Sequence, residues 1–326
     1  EDEFAGFEIV DSTNLGGTVT HTPDMLQYEY ARSALKMGLS LEETLGSNPF
    51  KFGMVGSTDS HTGLPGTAED NWWGKAPFVE PSPERWQDVL IRSSVDSTLD
   101  LTALQLAASG LAGVWAHEDT REALWDAIAR REVFGTTGTR LQVRVFGGFD
   151  FAESDLTRPD FAEHDYAKGV PMGGDLKQAP AGKSPAFMMQ ALRDPDGANL
   201  DRIQIVKGWL DASGETQERV YDVAWSDSDS RKVGSDGKVP SVGTTVDEKE
   251  ATYTNTIGAP SLTGYWQDPE FDPKLKAFYY VRVLEIPSPR WLAYDRKNYN
   301  LYDVMPKDLL YSSQERAYAS PIWYQP

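Results

Sequence analysis

The hydrophobic period of this chain changes at about residue 140, and no other feature constrains the fold as much. Beyond that point Leu141, Val143 and Val145 alternate with Gln142, Arg144 and Phe146. A period of two belongs to a strand. Further strand-like runs lie at 187–193, 203–210, 220–225, 278–286 and 318–324, separated by turns such as Asp194-Pro195-Asp196-Gly197. No long helical period interrupts them, so residues 141–326 predict an all-β domain of sandwich type. Residues 226–261 are polar and weakly patterned and read as an insertion into it.

Ahead of residue 140 the pattern differs. Residues 5–10 read as a strand, followed by a polar loop through Asn14. Thr22-Pro23-Asp24 has the form of a helix start, with Leu26, Tyr30, Ala34 and Met37 on one apolar face. Gly38 is expected to interrupt that helix. Ser40 with Glu43 would open another turn and Gly46 would end it. Phe52-Gly53-Met54-Val55 reads as a buried strand. A helix is expected around 99–110 and a strand at 111–116. A helix opened by Asp119 and Glu122 would then run to Arg131 with Leu124 and Ile128 inward, before a short strand at 133–135. Strands alternating with helices predict a parallel sheet over residues 1–140.

The charge balance narrows the function. The 326 residues carry 31 Lys and Arg against 50 Asp and Glu, a net charge of −19. Such a field repels phosphate backbones, so nucleic acid is not an expected partner. A small anionic substrate stays open, because a local basic cluster or a metal overrides the net charge. There is no cysteine, which excludes disulfides, thiolate-bound zinc and thiol nucleophiles. No apolar run approaches the roughly 20 residues of a membrane span. The chain opens on Glu1 without Met, so the start is expected to be a truncation or a processing site. The lean is toward a periplasmic or secreted location over a cytoplasmic one.

Polar residues follow the expected strands of the first part: Glu8 and Asn14, Asp59 and His61, His117 and Glu118, and Thr136-Thr137-Gly138-Thr139-Arg140. Strand ends are where α/β enzymes place their chemistry. Asp59 and His61 lie two apart in Gly56-Ser57-Thr58-Asp59-Ser60-His61, and the chain has four histidines. Carboxylate plus imidazole is a donor set for zinc, manganese or iron, although a turn-capping Asp beside a loop His gives the same pattern. Residues 62–88 form a long loop bearing Trp72 and Trp73, read as a lid, a staple, or both.

These residues also carry a resemblance. The stretch Gly56 to Gly63 resembles the last metal-binding motif of the PHP (polymerase and histidinol phosphatase) superfamily, with Thr58 inserted between Ser and Asp. Across most of its length the chain resembles the bacterial family catalogued as domain of unknown function 3604. The shared phrases include Met25 to Ala34, Glu69-Asp70-Asn71-Trp72-Trp73-Gly74-Lys75, Gly110 to Ala116, Thr136 to Arg140, Tyr279 to Pro287 and Ser320 to Tyr324. The resemblance implies the C-terminal part of a distorted (β/α)7 barrel over 1–140, followed by the β-sandwich-like domain over 141–326. It implies two or three divalent ions (Zn, Mn or Fe), with Asp59 and His61 as two of the ligands. It further implies a metal-activated water acting on a phosphoester or related small substrate.

His117 and Glu8 are further candidates for catalysis. Lys75, Arg121, Arg140, Asn14, Trp72 and Trp73 are candidates for binding the substrate. The family's opening His-x-His motif is absent from this chain, so a separate or cleaved N-terminal segment is expected to complete the barrel, and the chain by itself is expected to be inactive. The alternative is a non-catalytic protein that binds carbohydrate or a partner through its β-domain.

Overall fold

The computed structural model describes residues 8–106, 110–235 and 237–326. Four α-helices occur among them: α1 (Ala31–Leu45), α2 (Arg121–Ala129), α3 (Phe161–Lys168) and α4 (Trp291–Asn298). The strands are β1 (Val89–Ile91), β2 (Leu101–Thr102), β3 (Leu111–Val114), β4 (Val133–Thr136), β5 (Gln142–Gly148), β6 (Val170–Pro171), β7 (Asp175–Lys177) and β8 (Ala186–Leu192). They continue with β9 (Leu200–Leu210), β10 (Thr216–Trp225), β11 (Ser261–Gln267), β12 (Ala277–Glu285), β13 (Ser288–Pro289), β14 (Ser312–Ser313), β15 (Arg316–Ala319) and β16 (Ile322–Gln325).

An open eight-stranded sheet runs β10-β9-β12-β15-β4-β3, with β16 also on β12 and β7 beside β16. A four-stranded sheet runs β11-β8-β5-β6, and β1-β2 and β13-β14 are separate ribbons. Every pairing is antiparallel except β16 with β7. The main core lies between the two larger sheets, where Val143, Val145, Phe187 and Met189 meet Ile203, Ile205, Tyr279 and Val281. Alternate residues of β12 face the other way: Phe278 and Tyr280 pack with Leu35 and Leu39 of α1. The large sheet is thus covered on both faces, and β12 is buried at every position.

The expected barrel is not formed. No closed barrel exists among the described residues; before residue 140, β3 and β4 extend the large antiparallel sheet and β1 and β2 form a separate ribbon. Chain reversal explains this. Between β3 and β4 the helix α2 ends at Ala129; Arg131, just beyond it, has a φ of 64° in the left-handed region, and the chain turns back to run against β3. A parallel neighbour needs a crossover that carries the chain back to the strand's starting end. Strands on both sides of residue 140 therefore share one sheet, with β15 beside β4.

Other expectations change locally. Residues 52–55 form no strand. The Met54 N–H donates to Ser320 Oγ at 2.8 Å, and Phe52 and Met54 pack against the α1 cluster. Of the strand expected at 5–10, residues 5–7 lie outside the described residues, and 8–10 form no strand. A helix at 99–110 is replaced by a 3-10 turn (Ser97–Leu99) and β2, which pairs with β1, while residues 107–109 lie outside the described residues. Gly38 does not interrupt α1: a Cβ there would lie 2.2 Å from Asn48 Oδ1, so the glycine makes room for the following turn. Gly46 does stop the helix, at φ 71°. Helix α2 is capped by Thr120 and buries Ala127, whereas Ile128 is exposed. Helices α3 and α4 arise where no helical period is visible. The 226–261 excursion is tied down by buried Arg231, which bonds Asp201 Oδ1 at 2.6 Å and the Pro240 carbonyl at 2.7 Å.

Candidate functional site

The α1-side face of the large sheet floors a trough of about 970 Å³. Tyr280 and Arg282 of β12, Arg316 and Tyr318 of β15 and Thr136 of β4 contribute to its floor. Arg32 and Lys36 of α1 line one side, and Glu8, Val55 and Gly56 are among its other lining residues. Strand register brings these groups together: Arg282 stands opposite both Gln204 and Tyr318. The Arg282 guanidinium donates to Gln204 Oε1 from Nε (2.9 Å) and Nη2 (2.6 Å). Arg32 Nε donates to the Tyr280 hydroxyl at 2.8 Å, and Lys36 pairs with Glu218 at 2.8 Å. From β4 to β10 the floor crosses four strand spacings, roughly 19 Å.

Buried carboxylates gather near the Glu8 end. Burial pushes the Glu8 carboxyl up to about 7, against the pull of the Arg290 guanidinium bonded to it, while the charge of Glu69 raises it further. Burial raises Glu69 as well, and its carboxylate accepts the Trp291 N–H at 2.5 Å, capping α4 from a distant loop. Glu315 is held well above the usual range by burial and then by the charge of Glu69. Glu285 is pushed up to about 7 by burial, and Thr139 Oγ1 donates to it at 2.7 Å. Thr137 Oγ1 donates to Glu315 and itself accepts the Arg316 N–H at 2.8 Å. Thr137 and Thr139, just after β4, are therefore what receive Glu315 and Glu285.

Asp59 and His61 sit on a turn beside this end. Asp59 has a left-handed φ of 46°, and its carboxylate is bonded to Lys75, which holds it below the usual range. The His61 N–H donates to the Lys75 carbonyl at 2.8 Å, and its Nδ1 lies 2.9 Å from the Asp59 carbonyl oxygen. The charge of Lys75 also lowers Glu8. The structure thus brings Glu8, Asp59 and Lys75 into one electrostatic neighbourhood.

The remaining candidates lie elsewhere. His117 and Arg121 are exposed beyond β3 and at the start of α2. Arg140 is forked onto Asp194 (3.0 Å twice) and reaches Asp196 at 2.5 Å, beside a separate 290 Å³ cavity. Asn14 braces its own loop, its Oδ1 accepting the N–H groups of Thr18 (2.8 Å) and Val19 (3.1 Å). Trp72 is buried against Trp291, with ring centroids 5.0 Å apart, while Trp73 is 40% exposed. Trp72 is a staple.

Carboxylate and imidazole suit a divalent ion in kind. Among the described residues, however, no group of three or more His, Asp or Glu is placed to hold one. Two donors, one of them already bonded to an ammonium, do not fit a metal centre as they stand.

Sequence reasoning passed over Glu285, Arg282, Arg290, Glu315 and Arg316. A signal existed. In Tyr279-Tyr280-Val281-Arg282-Val283-Leu284-Glu285-Ile286 both parities are apolar, so the strand is covered on both faces, and any charge in it must be partnered.

Fold and site together define a class: a largely antiparallel β protein built on two larger sheets, with an arginine-floored trough bordered by buried carboxylates. The family model described as "Protein of unknown function (DUF3604)" matches residues 1–326, and the chain belongs to that family. No curated protein and no solved structure matches it. Among the described residues no helix is long and apolar enough to cross a membrane.

Proposed function

We propose that the chain serves hydrolysis of a small anionic ester, a phosphoester or a related compound, of the kind that its resemblance to the PHP superfamily implies. One observation carries this reading. A buried carboxyl that titrates near 7, Glu8, opens on a trough whose floor presents Arg282 and Arg316. Guanidinium groups match the planar forks of oxyanions and would orient the ester. Near neutrality Glu8 would be partly protonated, able to take a proton from water or give one to the leaving alcohol. Arg290 holds its carboxylate in place.

Divalent zinc, manganese or iron belongs to this proposal only through Asp59 and His61. The other donors would come from a separate or cleaved N-terminal segment. The non-catalytic alternative needs exposed aromatic platforms. Trp73, Phe78, Trp125 and Tyr166 are exposed without lining the trough, and Tyr30 is the exposed aromatic that does line it.

The test is hydrolysis of a panel of aryl phosphates and related esters, with and without added zinc or manganese. Glu8→Gln is expected to lower kcat by about 10²–10⁴, with circular dichroism showing that the variant still folds. Full activity in that variant, or no hydrolysis of any ester under either condition, defeats the reading.

A further inference from the structure

We infer that the outer face of the four-stranded sheet binds a saccharide that carries a carboxylate, a uronate, with Arg144 taking the carboxylate. The site lies on the far side of the sandwich from the trough and does not depend on the hydrolytic reading.

Strand alternation builds this face. On β5, Val143 and Val145 belong to the core between the sheets, so Gln142, Arg144 and Phe146 point outward. Register carries the outward face across the sheet. Arg144 stands opposite Gln190, and Gln190 opposite Thr263. On one side of this row, Phe146, Met188 and Tyr265 are covered by Phe151 and Phe161. On the other side Gln142, Leu192 and Ser261 are exposed, as is Thr263 itself, while Arg144 and Gln190 are half-buried.

Arg144 is the group that points to a ligand. Its guanidinium lies over the Trp115 ring, 4.0 Å from the centroid, with the Tyr166 and Phe146 rings at 5.8 and 5.9 Å. The cage is fixed. Trp115 Nε1 donates to the Val143 carbonyl at 2.9 Å, and the Tyr166 hydroxyl donates to buried Glu132. Glu132 is further engaged by Arg130 Nε at 2.8 Å. The described residues give Arg144 no hydrogen bond and no ion pair, and its Nε is buried without a partner. Stacking engages the face of a guanidinium and leaves its in-plane N–H fork, which matches a carboxylate. A half-buried cation held in place without an acid, in a chain of net charge −19, is preorganised for an external anion. The groups in line with it select the rest of the ligand. Gln190 and Thr263 extend from Arg144 over two strand spacings, roughly 10 Å. They offer neutral donors and acceptors, which suit the hydroxyl groups of sugar rings beside the carboxylate.

The experiment is calorimetric titration of the full chain with trigalacturonate, with trimannuronate, with the methyl esters of both, and with sodium acetate. Wild type is compared with Arg144→Met and Gln190→Ala, each checked by circular dichroism. At least one oligouronate is expected to bind, its methyl ester and acetate to bind about tenfold more weakly or not at all, and Arg144→Met to lose about tenfold or more in affinity. Gln190→Ala is expected to lose severalfold, and it decides the matter with the ester contrast should Arg144→Met fail to fold. No binding of either oligouronate to wild type overturns the proposal, as does binding that is unchanged in both variants or as tight for the methyl ester. Acetate bound as tightly as the oligouronate overturns the saccharide assignment, since the carboxylate alone would then be what the face recognises.

Discussion

Arg85 is forked onto Asp295 across 210 residues of chain, with Nη2–Oδ1 at 2.8 Å and Nε–Oδ2 at 2.5 Å, and both side chains are buried. The same guanidinium lies over the rings of Trp72 and Trp291, 5.0 and 4.7 Å from their centroids. This pair fastens the long 62–88 loop to α4, and so sets where Glu69 and Lys75 stand relative to Arg290.

Breaking the pair from one side leaves a buried carboxylate uncompensated. Arg85→Met is expected to destabilise the protein by about 3–5 kcal/mol, read as a lowered midpoint in urea. A change within about half a kcal/mol of wild type would mean that the loop is held by other contacts.

Gly56 tests the close approach beside the trough. A Cβ there would lie 2.6 Å from the Thr136 carbonyl oxygen and 2.7 Å from that of Leu111, both backbone atoms. Neither can swing aside as a side chain would. Gly56→Ala is expected to cost about 1–3 kcal/mol. Gly16→Ala, whose nearest neighbours would be 3.8 Å away, should be nearly neutral. Thermal melts of the two variants make the comparison, and equal melting temperatures would refute it.

Glu285 gives a signed pH effect. Its carboxyl ordinarily titrates at 4.5 and in the folded protein at about 7. Between those values the folded chain binds the extra proton, so this group's contribution to stability is fully present below pH 4.5 and is lost as pH rises through about 7. The loss is at most about 3 kcal/mol at 1.36 kcal/mol per pH unit. Glu285→Gln still accepts from Thr139 but does not ionise. Its stability should therefore fall less than wild type's between pH 5 and pH 8, measured by urea denaturation at each pH. Parallel curves would show that Glu285 is ionised in the folded state throughout.

Several elements were legible because their cause is local. Of the alternation at 141–145, residues 142–145 lie in β5, with Leu141 just before it. The run at 278–286 lies almost wholly on β12, and the left-handed glycine at position 46 does end α1. Helices α3 and α4 were illegible because their packing is not one-sided in the simple sense: α4 buries Trp291, Leu292, Ala293 and Asp295, the last through its partner Arg85. At the site, Glu8, Asp59 and Lys75 were named from sequence and are neighbours in space. Glu69, Glu285 and Glu315 were not, because each becomes unusual only through burial.

What the sequence determined by itself was therefore the β-rich second half, the helix stop at Gly46 and a short list of polar residues. Tertiary structure decided strand direction, turning the expected parallel β-α units into an antiparallel sheet through the reversal at Arg131. It also decided which charges meet, as Thr137 with Glu315 and Arg85 with Asp295 do. Periodicity reports which face of a segment leaves water. It carries no information about which distant segment covers that face, and both the pairing of strands and the shift of a buried carboxyl are set by that covering segment.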